Sequence, residues 1–213
     1  MNILTPLQVD LLRKFAESSL NQIFHLTGGT ALSAFFLKHR FSEDLDFFTG
    51  EPEQVLQVIP VLGAIAGQIG VRIEIRRQFR TFLEVFLHSE KGEIIKCDFA
   101  QDSPYRLEPV VLQEPFGIYS DSSLDIACNK LSALFDRGSS KDFVDIFFID
   151  RELFPFSEIL KNARKKHVGI DDYWLAVALL KVEQLDPLPR MVKSVDVDEL
   201  KSFFLRQSRL LMQ

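Results

Sequence analysis

Residues 25–48 read HLTGGTALSAFFLKHRFSEDLDFF, and this stretch decides how the first half of the chain folds. A short apolar run over residues 23–26 predicts a strand that ends at the glycine pair Gly28 and Gly29, and residues 31–38 have the composition of a buried helix. Glycines between a strand and a helix let the backbone approach a phosphate, which the amino end of the helix attracts. Such a turn also needs glycine for conformational reasons alone, so the pair by itself leaves phosphate binding open.

The second part of the stretch carries two acids, Asp44 and Asp46, in a short strand predicted over residues 44–48. Side chains alternate across a strand, so the two carboxylates share one face, about 6.7 Å apart along the chain. Leu45 and Phe47 anchor the other face. Two carboxylates in this arrangement can share the divalent metal ions that nucleotidyl transfer needs. The alternative interpretation is a solvent-facing edge strand.

A third acid, Asp98, stands near the end of an apolar strand predicted over residues 94–99. A buried carboxylate without a partner is costly, so Asp98 needs a metal ion or another partner. If this strand lies beside residues 44–48, Asp98 completes a cluster of three carboxylates. It then either ligates metal or accepts the proton of an attacking hydroxyl. A salt bridge to Lys96 or to another lysine is the alternative.

The composition places the chain among globular proteins and removes several classes of site. The 213 residues are 46% hydrophobic and include 20 phenylalanines, which predicts an aromatic-rich core. The two cysteines, Cys97 and Cys128, have neither the number for a disulfide framework nor the spacing of a zinc site. No run approaches the roughly 18 apolar residues of a membrane span, and the first residues lack a secretory pattern. We therefore expect a cytoplasmic protein with no membrane contact.

The net charge of -5 argues against general electrostatic attachment to nucleic acid, because phosphate-binding surfaces are usually rich in lysine and arginine. Two local basic groups remain, the arginines within residues 72–80 and the lysines, arginine and histidine within residues 161–167. Each is interpreted either as a solvated face or as a binding surface, and the solvated face is the commoner case.

The secondary-structure patterns divide the chain into an α+β half and a helical half. The first half is expected to hold helices over residues 6–20 and 53–69, the latter irregular near Pro60 and Gly63, with further strands at 71–77 and 80–88. The second half is expected to hold helices over residues 123–137, 141–151, 156–167, 171–184 and 198–210. We expect an α+β domain with a small mixed sheet over residues 1–118 and a helical domain packed against it over 119–213.

The motifs, taken together, resemble those of a known group of enzymes. A Gly-Gly-Thr turn at Gly28 to Thr30, a helix, an Asp-x-Asp strand and a later single acid are similar to the signature of the polymerase-β nucleotidyltransferase superfamily. More narrowly, the Gly-Gly-Thr-Ala-Leu and Arg-x-Ser-x-Asp-x-Asp motifs of the AbiEii/AbiGii toxin family stand complete at Gly28 to Leu32 and Arg40 to Asp46. The resemblance covers about residues 25–150. It implies a polymerase-β-type nucleotidyltransferase fold followed by a helical half.

The same family carries a lysine-containing helix, an arginine and a Lys/Arg-Asp-x-x-Asp segment, which resemble Lys130, Arg137 and the pair Asp142 and Asp145. Lys130 and Arg137 are two helical turns apart and project from nearly the same side, so both could reach triphosphate oxygens from the helical half. Asp142 and Asp145 share one face of the next helix, where they could hold those cations in place or orient the site from outside it. Arg137 could equally form a two-point ion pair with Asp142.

Three residues before the acid strand, His39, Arg40 and Ser42, could touch a triphosphate or simply close the turn. Ser42 is counted with Gly28, Gly29 and Thr30 among the expected nucleotide-binding residues. His25, between two apolar neighbours, is interpreted as a core histidine that has a hydrogen-bond partner.

The resemblance implies a reaction and its components. The family transfers a nucleoside monophosphate from a nucleoside triphosphate to an acceptor, tRNA ends among them, and many members are toxins with a cognate antitoxin protein. By resemblance, Asp44, Asp46, Asp98 and Lys130 are the catalytic residues, and the three acids hold Mg²⁺ or Mn²⁺. Two alternatives stay open: a nucleotidyltransferase that modifies a small molecule or a protein, and a nucleotide-binding or partner-binding protein that has lost catalysis. The complete set of acids argues against the latter.

Overall fold

The computed structural model describes residues 3–103, 105–185 and 187–213, which form a mixed sheet and a set of helices. The α-helices are α1 Pro6–Ala16, α2 Gly28–Ala31, α3 Val58–Ile69, α4 Ser123–Asp136, α5 Ser140–Glu152, α6 Phe156–Lys166, α7 Asp172–Leu180 and α8 Val197–Leu211. The strands are β1 His25–Thr27, β2 Leu45–Thr49, β3 Val71–Gln78, β4 Phe82–Ser89, β5 Ile94–Gln101, β6 Val111–Gln113 and β7 Ile118–Ser120. These elements confirm the expected α+β fold.

The seven strands lie in the order β3-β4-β5-β2-β1-β7-β6. The central strand β2 pairs with β1 in antiparallel and with β5 in parallel orientation, so the sheet is mixed. The expectation that the strand carrying Asp98 lies beside the strand carrying Asp46 is therefore confirmed. The parallel pairing is possible because α3 and the β3-β4 hairpin stand between the two strands in the chain, and parallel neighbours need a long connection.

Local sequence signals explain where α1 begins and where α3 ends. Thr5 caps α1 through a capping box with Gln8, and Pro6 occupies the first turn, where its missing N–H is not needed. Gly70, in the left-handed conformation, ends α3. Pro60 lies in the first turn of α3 and the helix runs on through Gly63, so the expected irregularity there is wrong.

Other differences from the expected elements arise at helix ends and in the connection before the helical half. The expected first helix ends at Ala16, and a separate 3-10 turn covers Ser19–Gln22. After α2 the chain continues as a π-helical segment, Leu32–Leu37. Strands β6 and β7 were not expected, because three-residue strands are too short to show an alternating pattern. They pair with each other and, through β7, with β1.

The described residues fall into two compact units. The first takes the described residues of Met1–Phe35, Ser42–Tyr105 and Pro109–Ser122, and it contains the whole sheet. The second takes those of Phe36–Phe41, Arg106–Glu108 and Ser123–Gln213, with the helices α4 to α8. The division into domains at residues 118 and 119 stays a prediction. Among the described helices, none combines the length and the apolar character that crossing a bilayer requires.

Stacked phenylalanines form the core of the first unit on one face of the sheet. Phe47 of β2 and Phe99 of β5 are register partners whose rings stack at 5.0 Å, and Phe15 of α1 stacks on Phe47 at 4.3 Å. Because side chains alternate along a strand, burying Phe47 and Phe99 on this face turns Asp46 and Asp98 towards the other. The aromatic core thus fixes the orientation of the two acids.

Candidate active site

A row of polar residues crosses five neighbouring strands on the face opposite the phenylalanine stack. The register pairs Arg77 with Glu84, Glu84 with Asp98, Asp98 with Asp46, and Asp46 with Thr27. Directly paired residues point to the same face of a sheet, so these five side chains form one line. We call it the polar row.

Gly28 is packed against the acid at the centre of the polar row. Its φ is +71°, a conformation that favours glycine, and a Cβ atom at this position would overlap the carboxylate of Asp46. The glycine turn and Asp46 thus lie in direct contact. The absence of a side chain at position 28 leaves the carboxylate of Asp46 its place beside the start of α2.

Thr30 and Gln8 hold the segment that leads into the acid strand. The Thr30 side chain is fully buried and its hydroxyl donates a hydrogen bond to the backbone carbonyl of Asp44. The Gln8 amide donates to the carbonyls of Ser42 and Glu43 at 3.2 and 3.1 Å. Thr30 thus ties the glycine turn to the backbone of Asp44, and its expected contact with nucleotide stays a prediction. Gln8 was not singled out as a site residue, although the Thr5 capping pattern marks it.

Asp98 is paired on one side only. Its Oδ2 accepts a hydrogen bond from the ammonium of Lys96 at 2.6 Å, which is the alternative that the sequence left open. Its Oδ1 is buried and has no hydrogen-bond partner in the described part of the chain. Burial raises the pKa of Asp98 above its ordinary value, because it outweighs the opposing hydrogen bond and charge of Lys96.

The three acids do not form a ready metal site. Within the described ranges, no three His, Cys, Asp or Glu side chains stand together in a way that could hold a metal ion. The expected convergence of Asp44, Asp46 and Asp98 at metal-coordinating distance stays a prediction. Lys96, two residues before Asp98 on the same face of β5, binds the Asp98 carboxylate as a counter-cation.

Two features of the acid face nevertheless fit a divalent cation. The Oδ1 atom of Asp98 and the Oγ1 atom of Thr27 are both buried and lack a partner among the described residues. Asp46 lies between them in the polar row. Buried oxygens are usually satisfied, and hard cations such as Mg²⁺ take oxygen ligands. The donor set around Asp46 thus suits a magnesium or manganese ion.

A second polar cluster lies in the helical unit, around Asp145 of α5. Both oxygens of its fully buried carboxylate accept from Arg40, Oδ1 from Nε at 2.6 Å and Oδ2 from Nη2 at 2.8 Å. Lys130 of α4 lies 2.7 Å from the same Oδ2, and His39 Nε2 lies 2.7 Å from Oδ1. We call these four residues the Asp145 cluster. Lys130 is buried in it, so the structure shows the ion-pair alternative for this residue.

The charges of the Asp145 cluster follow from its burial. Burial favours protonation of Asp145, but the charges of Lys130 and Arg40 and the hydrogen bonds from Arg40 and His39 outweigh it and hold its pKa well below the ordinary value. Burial lowers the pKa of His39, more than the neighbouring carboxylate raises it. His39 is therefore neutral at neutral pH. Arg40, Lys130 and Asp145 together carry a net positive charge inside the protein.

Arg137 and Asp142 form a separate pair. Arg137 donates to both oxygens of Asp142, each at 2.8 Å, and Ser139 donates to the same carboxylate through its hydroxyl. The two-point ion pair that the sequence left open is therefore present. The Arg137 side chain is 62% exposed, whereas Lys130 is buried. Against the effect of burial, both cations favour the charged form of Asp142 and so lower its pKa. The expectation that both face the same way stays a prediction.

The sequence motifs did not point to Glu84 or Arg77 as parts of the polar row, and Arg40 was expected to touch a triphosphate or to close the turn. Glu84 interrupts the apolar run FLEVFL at residues 82–87, which is the same signal that singled out Asp98. His25 is buried against Asp121 at 3.2 Å, as the interpretation of a core histidine requires. The two basic groups consist largely of paired side chains, including Arg80 with Glu53 and Arg164 with Asp172.

The chain is similar to known proteins over nearly its whole length. The family model described as nucleotidyl transferase AbiEii toxin, type IV toxin–antitoxin system, matches residues 10–206. An uncharacterized protein of Aquifex aeolicus (strain VF5) is 30% identical over 203 residues, which are 94% of this chain and 93% of that protein.

Solved structures share the fold at lower identity. MenT4, a nucleotidyltransferase toxin from Mycobacterium tuberculosis H37Rv, superposes with a TM-score of 0.70 at 18% identity, covering 97% of this chain and 82% of its own. JHP933 from Helicobacter pylori superposes with a TM-score of 0.59 at 22% identity, covering 95% and 87%. At these identities the likeness shows the fold.

Proposed function

Because this chain belongs to the AbiEii nucleotidyltransferase toxin family, we propose that it transfers a nucleoside monophosphate from a nucleoside triphosphate to an RNA acceptor such as a tRNA end. The observation that carries the proposal is the register of β2 and β5, which sets Asp46 directly beside Asp98 with the glycine turn against them. Asp46 and Asp98 are 52 positions apart in the chain, and Lys96 is the cation that pairs with Asp98 there.

Asp44, Asp46 and Asp98 would hold Mg²⁺ or Mn²⁺ in this reaction. When bound, such an ion neutralises triphosphate oxygens and lowers the pKa of an attacking hydroxyl. Proton transfer would fall to a side chain of the protein. Asp98, with its raised pKa and unpartnered Oδ1, is suited to accept the proton of the acceptor hydroxyl or to ligate the metal ion.

The nucleotide would contact the glycine turn first. Gly28 and Gly29 place no side chain at the start of α2, and Ser42 is half-buried just before the acid strand. Lys130 would supply positive charge to the triphosphate, since the Asp145 cluster to which it belongs holds more cationic than anionic charge. Arg137, which is exposed although paired, would contribute a further cation, and Asp142 and Asp145 would orient the two.

The family description also bears on partners. It places the family in type IV toxin–antitoxin systems, so we propose a cognate antitoxin protein as the partner of this chain and the cytoplasm as its location. Transfer to a tRNA end would then be the toxic activity.

Incubation of the purified protein with each labelled nucleoside triphosphate, Mg²⁺ and total tRNA tests the proposal. We expect label from one or more triphosphates to move to tRNA, and chelation of the metal to abolish the transfer. Asp46→Asn should abolish it with the fold intact, because relieving repulsion among neighbouring acids costs little stability without metal. Label that appears on protein or on a small molecule instead would refute the RNA acceptor, and equal activity of Asp46→Asn would refute the metal assignment.

A further inference from the structure

Lys96 stands between two acids of the polar row. Its ammonium lies 2.6 Å from Oδ2 of Asp98 and 3.5 Å from Oε2 of Glu84. Lys96 and Asp98 are two apart on β5 and so share a face, and Glu84 of β4 is the register partner of Asp98. One lysine can therefore serve either carboxylate with a small change of its flexible side chain.

Glu84 is held ready as an anion. Arg77 of β3 donates to both of its oxygens, at 3.2 Å from Nε and 2.7 Å from Nη2. The hydrogen bond from Arg77 is the main reason that the pKa of Glu84 lies below its ordinary value, and the charges of Arg77 and Lys96 act in the same direction. Glu84 therefore has a fixed cationic partner in Arg77, and the ammonium of Lys96 already lies 3.5 Å from its Oε2.

Asp98, by contrast, is paired with a cation that would compete with a metal ion for its carboxylate. Lys96 takes one oxygen of the carboxylate, and the other oxygen is buried without a partner in the described part of the chain. A divalent cation that binds Asp98 must compete with the ammonium for the same negative charge. The competition is least costly if the ammonium has a second carboxylate within reach, since an isolated cation in a partly buried place is unfavourable.

We propose that Lys96 is a positioning residue that holds Asp98 before metal binds and moves to Glu84 when a divalent cation takes Asp98. Glu84 and Arg77 act through Lys96, and none of the three touches the reacting atoms. This inference rests on the proposed function, because it assumes that Asp98 binds the metal ion. In this proposal metal binding is an exchange of cations within the polar row: the divalent ion takes Asp98, and the Lys96 ammonium passes to Glu84.

The exchange predicts opposite effects of two substitutions on metal affinity. Lys96→Met removes the competing cation, and we expect the affinity for Mn²⁺ to rise roughly 2- to 5-fold, as for loss of one partly exposed ion pair. Glu84→Gln removes the alternative partner of Lys96, so Mn²⁺ affinity should fall by a similar factor. Free Mn²⁺ is counted by electron paramagnetic resonance during titration of the full-length protein, and no turnover is needed.

The double variant separates the exchange from simple charge effects. If Glu84 acts through Lys96, then Glu84→Gln should change Mn²⁺ affinity less than 2-fold once Lys96→Met is present. A general field effect of the lost charge would instead keep the full loss in both backgrounds. Glu74→Gln is the matched control. It removes an acid of β3 that is paired with Arg76 and with His88 of β4, and it should leave the affinity unchanged. Lys96→Gln serves as a second variant if methionine disturbs the strand.

The outcomes distinguish this inference from the proposed function. Additive effects of the two substitutions, with normal Mn²⁺ binding by the wild type, would overturn the exchange and leave the proposed function standing. A wild-type protein that binds no Mn²⁺ in the presence or absence of triphosphate would overturn both.

Discussion

At the scale of single residues, the acid site depends on which side chains are missing as much as on which are present. Gly28 leaves room for the carboxylate of Asp46, and the buried hydroxyl of Thr30 ties the same turn to the backbone of Asp44. Both contacts link the glycine motif to the Asp-x-Asp motif. The two motifs therefore work as one structural unit, in which a change in either disturbs the other.

Replacing Gly28 tests this link. Gly28→Ala should destabilise the protein by about 1–2 kcal/mol through its left-handed backbone alone, and more through overlap with Asp46. Gly92→Ala is the matched control, because Gly92 also has a positive φ, +82°, but nothing lies within 4 Å of the added atom. Urea denaturation and a transfer assay would compare the two. Equal losses of stability and activity would show that the contact with Asp46 is unimportant.

At the scale of elements, α5 places a buried charge, Asp145, among the buried apolar residues of the helical unit. Asp145 is fully buried, and it gathers Arg40 and His39 from the segment after the π-helical turn and Lys130 from α4. Arg40 and Asp145 are 105 positions apart in the chain. A buried ion pair of this kind does not by itself show that a protein is more stable. Removing the charge of Asp145, however, would leave the buried cations Arg40 and Lys130 without a counter-charge.

Removing the charge of Asp145 should be strongly destabilising. Asp145→Asn keeps the size of the side chain but leaves Arg40 and Lys130 buried without a counter-charge, and we expect a loss of about 3–5 kcal/mol in the free energy of unfolding. Glu152→Gln, which breaks a half-exposed pair with Lys193, should cost about 1 kcal/mol or less. Chemical denaturation measures both. A loss below about 1 kcal/mol in Asp145→Asn would contradict this account of the cluster.

The stability of the same cluster should depend on pH through His39. Burial lowers the pKa of His39 below the ordinary histidine value of 6.5. Above pH 6.5 the histidine is neutral in both folded and unfolded chains, so its contribution is constant. As the pH falls below 6.5, His39 binds a proton in the unfolded chain but not yet in the folded protein. The free energy of unfolding then decreases by at most about 1.4 kcal/mol per pH unit.

His39→Gln isolates this effect, because glutamine can donate a hydrogen bond to Asp145 but does not titrate. Urea denaturation at pH 7.5, 6.5 and 5.5 should show a steeper loss of stability in the wild type than in the variant. The remaining histidines are the same in both proteins and cancel. Parallel pH profiles would show that His39 titrates with an ordinary pKa in the folded state.

At the scale of the whole molecule, the proposed function draws residues from both compact units. The acids, the glycine turn and Ser42 belong to the first, and Lys130, Arg137, Asp142 and Asp145 belong to the second. The proposed function requires that Lys130 contribute positive charge to triphosphate binding. This requirement can be tested by binding alone, without knowledge of the acceptor.

Lys130→Ala should weaken triphosphate binding by about 1.5–3 kcal/mol, the loss of one charge-assisted hydrogen bond, and Lys130→Arg should not fully restore it. Lys166→Ala is the control, since Lys166 is likewise buried in an ion pair, with Asp125 at 2.6 Å, within the same unit. Calorimetric titration of a triphosphate into the three variants and the wild type measures the effect. Unchanged affinity in Lys130→Ala would leave Lys130 as a structural partner of Asp145.

Features that depend on neighbours in the chain were accessible from the sequence by itself. The strand, glycine turn and helix over residues 23–38, the Asp-x-Asp strand and the five helices of the second half follow from periodicity, glycine placement and capping, which act over a few residues. The motif order was enough to indicate the family. Asp98 was found because a carboxylate in an apolar strand is costly wherever that strand lies.

Only the tertiary structure decided which charges meet. The register of β2 with β5 and of β4 with β5 sets Lys96 and Glu84 beside Asp98, and a shift of one residue would have turned every one of these side chains to the opposite face. The partners of Asp145 come from two other segments, the more distant of them Arg40. Long-range pairing is set by the packing of the whole core, including the Phe47 and Phe99 stack, and no short pattern in the chain records it.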